Sequence, residues 1–385
     1  MRRLLITAGV FVALTFAAMG QELPRGSARV KLPDTAKQPF RETTLPTEAK
    51  DPAPTARGEL ELGNQFFKSA NYSKAIDSYK LAIGIEPTLF QAYYNLGVAY
   101  IDTREYREAT RAFEQALALA PRSTSILKYL GQIHHKLNEF ETAAAYYSKW
   151  LSIEPESAVA LCGLGDAEAH LGKYPEAEAS FEKALRLEPT SGEAVGGLCL
   201  ASTASRQDEK ALQYCARAAQ LTPNEEVVHF LLGETYLNLH RYEEALAPLT
   251  RAAELAPRDG YVHNSLGLAQ YGLERYDKAV DSFQRSAQLE PGFADAYTGL
   301  GSVYLKQKKY REAKEAFNKA LAREPASAVA HMNLGIACLD LNQRDCALEQ
   351  YNILQQLDPT LARSLFEQIH RNRVVAAPHS TSPTK

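Results

Sequence analysis

The chain has 385 residues, 45% of them hydrophobic and 23% charged, the balance of a soluble folded protein, which excludes a mainly disordered polypeptide. Its 43 basic and 46 acidic residues leave a formal net charge of −3, with no bulk excess to condense onto phosphate backbone or an anionic bilayer. Nucleic acid is therefore not expected as a principal partner.

Arg2 and Arg3 precede an apolar run from Leu4 to Met19, and Ala18 and Gly20 are small residues suited to a cut before Gln21. This pattern predicts a cleavable signal over residues 1–20 and a secreted or periplasmic mature chain. As a helix the run covers roughly 24 Å, short of the ~30 Å hydrocarbon core, so a retained anchor is the weaker reading. No cysteine follows the run to carry a lipid, and no later segment is apolar enough to predict a membrane span in the mature chain. Residues 21–55 carry Pro24, Pro33, Pro39, Pro46, Pro52 and Pro54 among Lys, Thr and Glu, a composition expected to form a disordered, Pro-rich linker.

From residue 56 onward one spacing dominates. Leu-Gly recurs at Leu62-Gly63, Leu96-Gly97, Leu130-Gly131 and Leu164-Gly165, then at Leu232-Gly233, Leu266-Gly267, Leu300-Gly301 and Leu334-Gly335, with Leu198-Cys199 filling the gap. The interval is 34 residues, and an alanine and then a proline follow each pair at constant offsets, as in Ala109 and Pro121. A period of this size means stacked units. Within a unit, Tyr93, Leu96, Gly97 and Tyr100 form one helical stripe and Ala109, Phe113 and Ala116 a second, so two short helices are predicted, with the proline separating one pair from the next. Such a pair buries too little to stand alone and must gain stability by stacking on its neighbours.

Tyr93-x-x-Leu96-Gly97-x-x-Tyr100, Ala109-x-x-x-Phe113 and Pro121 resemble the tetratricopeptide repeat, and Tyr297, Leu300, Gly301, Tyr304, Ala313, Phe317 and Pro325 repeat the pattern. The resemblance spans residues 56–361 as nine units starting at 56, 90, 124, 158, 192, 226, 260, 294 and 328. It implies an all-α fold, an α-solenoid in which helix-turn-helix repeats wind as a right-handed superhelix, and a protein-binding groove lined by the first helix of each repeat. Leu361, Leu365, Phe366 and Ile369 predict a capping helix over residues 360–373, and residues 374–385 are expected to be a disordered tail.

The fifth repeat departs most. Cys199, Ser202 and Cys215 replace the glycine, tyrosine and aromatic, and Gly196-Gly197 sit inside a predicted helix, so the array is expected to be softest there. Trp150 is expected to pack in the core, with Gly163 of the next helix making room for it. No C-x-x-C pair predicts a zinc site. In an oxidising compartment Cys199 with Cys215 is the first disulfide candidate, Cys338 with Cys346 the second, and Cys162 the odd thiol. His229, His263 and His331 share one repeat slot, which reads as packing instead of metal ligation, and the adjacent His134 and His135 point to different faces of a helix.

No nucleophile, zinc or nucleotide-binding motif appears, and the constant frame leaves no inserted loop to carry one, so neither catalysis nor a cofactor is expected. Function is sought in the groove. Repeat positions 4, 7, 8 and 11 are taken by packing, which leaves apolar residues at positions 2, 5, 9 and 12 as surplus: Tyr94, Val98, Ile101, Phe230, Leu237, Tyr261, Leu268, Tyr271 and Met332. Lys128, Gln132, His135, Lys136, Asp166 and His170 form a polar interruption. Some family members grip a C-terminal carboxylate from this face. Here Asn64, Asn95 and Lys128 match three of those slots, but Leu60 and Gln132 stand where cations should be, so an extended peptide or amphipathic helix fits better. The expected function is a non-enzymatic scaffold holding an envelope or secretion component. The alternative is a self-associating structural or assembly subunit of an envelope complex.

Overall fold

The computed structural model describes residues 55–375, with side chains to residue 370. The expected signal, nearly all of the linker and most of the tail lie outside the described residues. All regular structure among the described residues is α-helical, and the chain divides between Gln207 and Asp208, inside the fifth repeat, into two compact units.

The first unit contains α1 (Ala56–Lys68), α2 (Tyr72–Ile85), α3 (Phe90–Asp102), α4 (Tyr106–Leu119), α5 (Thr124–Lys136), α6 (Phe140–Ile153), α7 (Ala158–His170), α8 (Tyr174–Leu187) and α9 (Gly192–Ala204). The second contains α10 (Asp208–Leu221), α11 (Glu226–Asn238), α12 (Tyr242–Leu255), α13 (Gly260–Gly272), α14 (Tyr276–Leu289), α15 (Ala294–Lys306), α16 (Tyr310–Leu321), α17 (Ala328–Asp340), α18 (Arg344–Leu357) and α19 (Pro359–Val375). Within each unit every helix packs on the helices before and after it. The first helices of consecutive pairs also meet, as α1 with α3, α5 with α7 and α13 with α15, so each unit bends toward its first helices.

At some of the helices a capping side chain explains the start. Thr55, Asn71, Ser157, Ser191 and Asp259 cap N-termini by accepting backbone N–H bonds, such as Gly58 N to Thr55 Oγ1 at 3.1 Å. The turns inside the pairs are less legible. Each first helix ends at a residue in the left-handed region, at Ala70, Arg104, Asn138, Gly172, Arg206, His240, Glu274, Lys308 and Asn342. The next amide then bonds back into the helix, as Glu105 N to Tyr100 O at 2.9 Å, which satisfies an end carbonyl. Only one of these positions is glycine, so packing of the two helices holds the turn against its local cost.

Pairs close by a ring-in-notch contact. The alanines Ala75, Ala109, Ala143 and Ala177 are fully buried, and in most pairs the glycine of the first helix admits an aromatic ring of its own second helix, with Leu249 taking that place against Gly233. A Cβ on Gly97 would stand 2.7 Å from the Phe113 ring, and Gly131 faces Tyr147 in the same way. Gly163 also receives Tyr147, not Trp150 as expected; Trp150 is buried and donates Nε1–H to Glu154 at 2.8 Å. In the last pair the notch at Gly335 is filled from the cap, by Leu365.

The capping helix α19 is longer than expected, and Val374 and Val375 belong to it. It buries Ala362, Leu365 and Ile369 against α17 and α18. Phe366, expected on that stripe, is 40% exposed instead and meets Tyr351 with ring centroids 5.3 Å apart.

Cys338 of α17 and Cys346 of α18 form a disulfide with Cα atoms 5.9 Å apart. Cys162 is a free buried thiol, and burial pushes its pKa up to about 12. Cys199 and Cys215 stand on either side of the division between the units, each fully buried.

Two outcomes are expected. Nothing lies within 4 Å of a Cβ placed on Gly196, whereas one on Gly197 would run into Phe181. Gly196→Ala should raise stability by about 0.5–1 kcal/mol and Gly197→Ala should lower it by about 1–3 kcal/mol, read as opposite shifts in calorimetric melting. Replacing Cys338 and Cys346 by Ala releases a short closed loop and should lower stability by about 2–3 kcal/mol in oxidised protein, a difference that should largely disappear when both proteins are reduced.

Candidate functional site

The inner face of each unit is built from its first helices, and packing claims more of it than the repeat pattern predicts. Val98, Leu237 and Met332, expected as surplus, are core residues. The neighbouring first helix covers them, because consecutive first helices touch on the bent side. The remaining apolar candidates are half-buried. Tyr94 lies edge-on to Phe113 and Tyr129, with centroids 5.8 and 5.9 Å away, and Ile101 packs on the same core. In the second unit Phe230 and Leu268 pack beside Leu249, Tyr261 meets Phe293 at 4.7 Å, and Tyr271 meets Tyr276 at 6.0 Å. These residues serve the fold with one side and keep the other open.

The slots that resemble a carboxylate grip are spent internally. Asn64 Oδ1 accepts from Tyr79 Oη at 2.9 Å and from Asn95 Nδ2 at 2.7 Å, with both asparagines buried. Lys128 is half-buried on α5, where its charge acts on Glu193 of α9. The shared histidine slot proves to be a packing device: Nε2 of His229, His263 and His331 lies 3.1, 3.3 and 2.9 Å from the carbonyls of Pro223, Pro257 and Pro325. His331 Nδ1 also reaches Gln350 Oε1 at 2.7 Å.

His134 and His135 do diverge. His134 is buried, with Nδ1 2.6 Å from Glu139 Oε2, whereas His135 faces Asp166 of α7. His170, one turn beyond Asp166, completes a group within the polar interruption, and sequence spacing does not show that these three converge, because His135 and Asp166 belong to different repeats. Burial holds the His170 imidazole below its ordinary range, opposed by the Asp166 carboxylate.

Carboxyls on the second unit's first helices are perturbed upward. Burial, then Asp259 and Glu225, push Glu226 up to about 7, and burial, then Glu324, push Asp295 up to about 6. Asp340 is raised by burial as well. Asp295 occupies on α15 the slot that Tyr261 holds on α13. Its elevation prevails over the pull of the helix N-terminus, which favours the ionised form.

A carboxyl raised in the folded state binds its proton more tightly there than in the unfolded chain. The resulting stabilisation is present below the ordinary value of 3.8 and is lost as pH rises through about 6. Asp295→Asn should therefore stabilise the protein by about 1–2 kcal/mol at neutral pH, and the gain should vanish near pH 4 in urea unfolding curves.

Family models described as tetratricopeptide repeat match residues 94–158, 158–191, 230–293 and 294–327, and one described as TPR repeat matches 63–103. Together they cover more than half of the chain and leave out 192–229, where the departures of the fifth repeat lie. No curated protein matches. Among solved structures the chain is similar to the APC/C hetero-tetramer Cut9–Hcn1, with TM-score 0.54 and 17% identity over 82% of this chain and 76% of that one. It is also similar to a tetratricopeptide repeat protein from Parabacteroides merdae ATCC 43184, with TM-score 0.50 and 19% identity over 61% of this chain and 93% of that one. At these identities the likeness is one of fold. Among the described residues no helix is long and apolar enough to cross a membrane.

Proposed function

The chain belongs to the tetratricopeptide repeat family, a fold of protein–protein interaction, and from that premise we propose that its inner face holds a peptide or helix of a partner protein. The observation that carries this reading is the second unit's set of half-buried aromatics, Phe230, Tyr261 and Tyr271, among carboxyls that burial leaves above their ordinary range. Apolar anchors alternating with basic side chains would fill the first and relieve the second, since a nearby cation favours the ionised carboxylate. The scaffold is non-enzymatic in this reading and acts on an envelope or secretion component after export. The residue pattern of positions 1–20 and the Cys338–Cys346 disulfide, a bond favoured in oxidising compartments, support that location.

Capture from an envelope fraction by the mature chain, compared with its Tyr261→Ala/Tyr271→Ala variant, tests the reading. Loss of about tenfold in the captured partner at unchanged helicity is expected. Equal capture by both would remove the inner face from the function. A second reading, self-association, draws on the exposed Phe366 of the cap. A purified chain that scatters light as a dimer, and as a monomer after Phe366→Ser, would favour it.

A further inference from the structure

In the first unit, α5 and α7 bring three side chains with metal-ligating atoms to one point: His135, Asp166 and His170, with one ligand atom of each within 4.8 Å of the others. His135 Nε2 lies 2.6 Å from Asp166 Oδ2, and His170 Nε2 lies 4.0 Å from Asp166 Oδ1. The three side chains are 19%, 25% and 28% exposed, so the group is sheltered yet reachable from solvent.

An ordinary ion pair explains part of this group and leaves a remainder. Despite its distance from the carboxylate, His135 Nε2 makes no aligned hydrogen bond, and the atom is shut off from water. A buried ring nitrogen so placed is only partly satisfied by the carboxylate beside it. Both rings are also held in place. Phe140 stacks on His170 at 4.4 Å with planes 2° apart and meets His135 edge-on at 5.2 Å, while the two imidazoles stand 5.0 Å apart. Asp166 and His170 are one turn apart on α7 and so share a face.

We propose that His135, Asp166 and His170 form a binding site for a divalent first-row transition metal of the Zn²⁺ class. Two imidazoles and one carboxylate are the donor set such ions prefer over Ca²⁺ or Mg²⁺, which take oxygen ligands. At metal–ligand distances of about 2.0–2.2 Å, tetrahedral neighbours stand about 3.3–3.5 Å apart. The 2.6 Å contact would open and the 4.0 Å contact would close, each by less than the reach of a side-chain rotation. Three protein ligands leave a fourth position for water. The site does not depend on the partner reading above.

The test is calorimetric titration of Zn²⁺ into the untagged, chelator-stripped chain. One bound equivalent is expected, with affinity weakened more than about tenfold in His135→Ala, Asp166→Asn and His170→Ala, and unchanged in His229→Ala and His263→Ala. Zn²⁺ should also raise the melting temperature of wild type and leave that of His170→Ala unmoved. A variant-free check is the visible spectrum of the Co²⁺-loaded wild type, which should show ligand-field bands without thiolate charge transfer, so that Cys162 is not the ligand. Absence of a bound equivalent in wild type, or binding that survives in all three ligand variants, would overturn the site.

Discussion

The structure depends on one steric fit, a bulky side chain of a second helix lodged in a glycine notch of the first. Phe113 over Gly97, Tyr147 over Gly131 and Phe317 over Gly301 bring the helices of each pair within a distance that no Cβ would permit. Where the following pair also presents a glycine, as Gly163 does to Tyr147 and Gly299 to Phe283, the same ring is shared between pairs. One side chain then closes its own pair and docks the next. This is the physical content of a repeat that cannot stand alone. Leu365 shows the rule at its limit, since with no further pair to come the cap supplies the group that fills the notch of Gly335.

That fit also sets the turns. With both helices drawn together, the chain must reverse within a few residues, and the left-handed residue at the end of each first helix accomplishes it whether or not glycine is present. Arg104 and Glu274 adopt this conformation because the packing on both sides outweighs a local cost of about 1–2 kcal/mol. The recurring back-bond from the next amide offsets part of that cost by satisfying a carbonyl at the helix end.

The inner face inherits a conflict from the same geometry. Val98, Leu237 and Met332 are buried on that face, and burial also raises carboxyls such as Glu226 and Asp295. What remains is a set of half-buried rings beside carboxyls that burial raises above their ordinary range.

The 34-residue interval, the capping residues and the Leu-Gly, Ala and Pro positions determined the helices, their pairing and the family, because those signals are local or strictly periodic. The perturbed fifth repeat was legible for the same reason, and the division of the chain falls within it. The candidate site was legible only in outline. Periodicity identifies which face a residue occupies, but not how closely the neighbouring helix covers that face, so Val98 and Tyr94 look alike in sequence and differ in the fold. The bulk of Trp150 in a slot usually held by a small residue points to Gly163 as the space for it, whereas tertiary packing gives that space to Tyr147. His135, Asp166 and His170 are legible in sequence as part of a polar stretch, but they occupy different slots of two repeats, and only the distance between α5 and α7 brings their ligating atoms together.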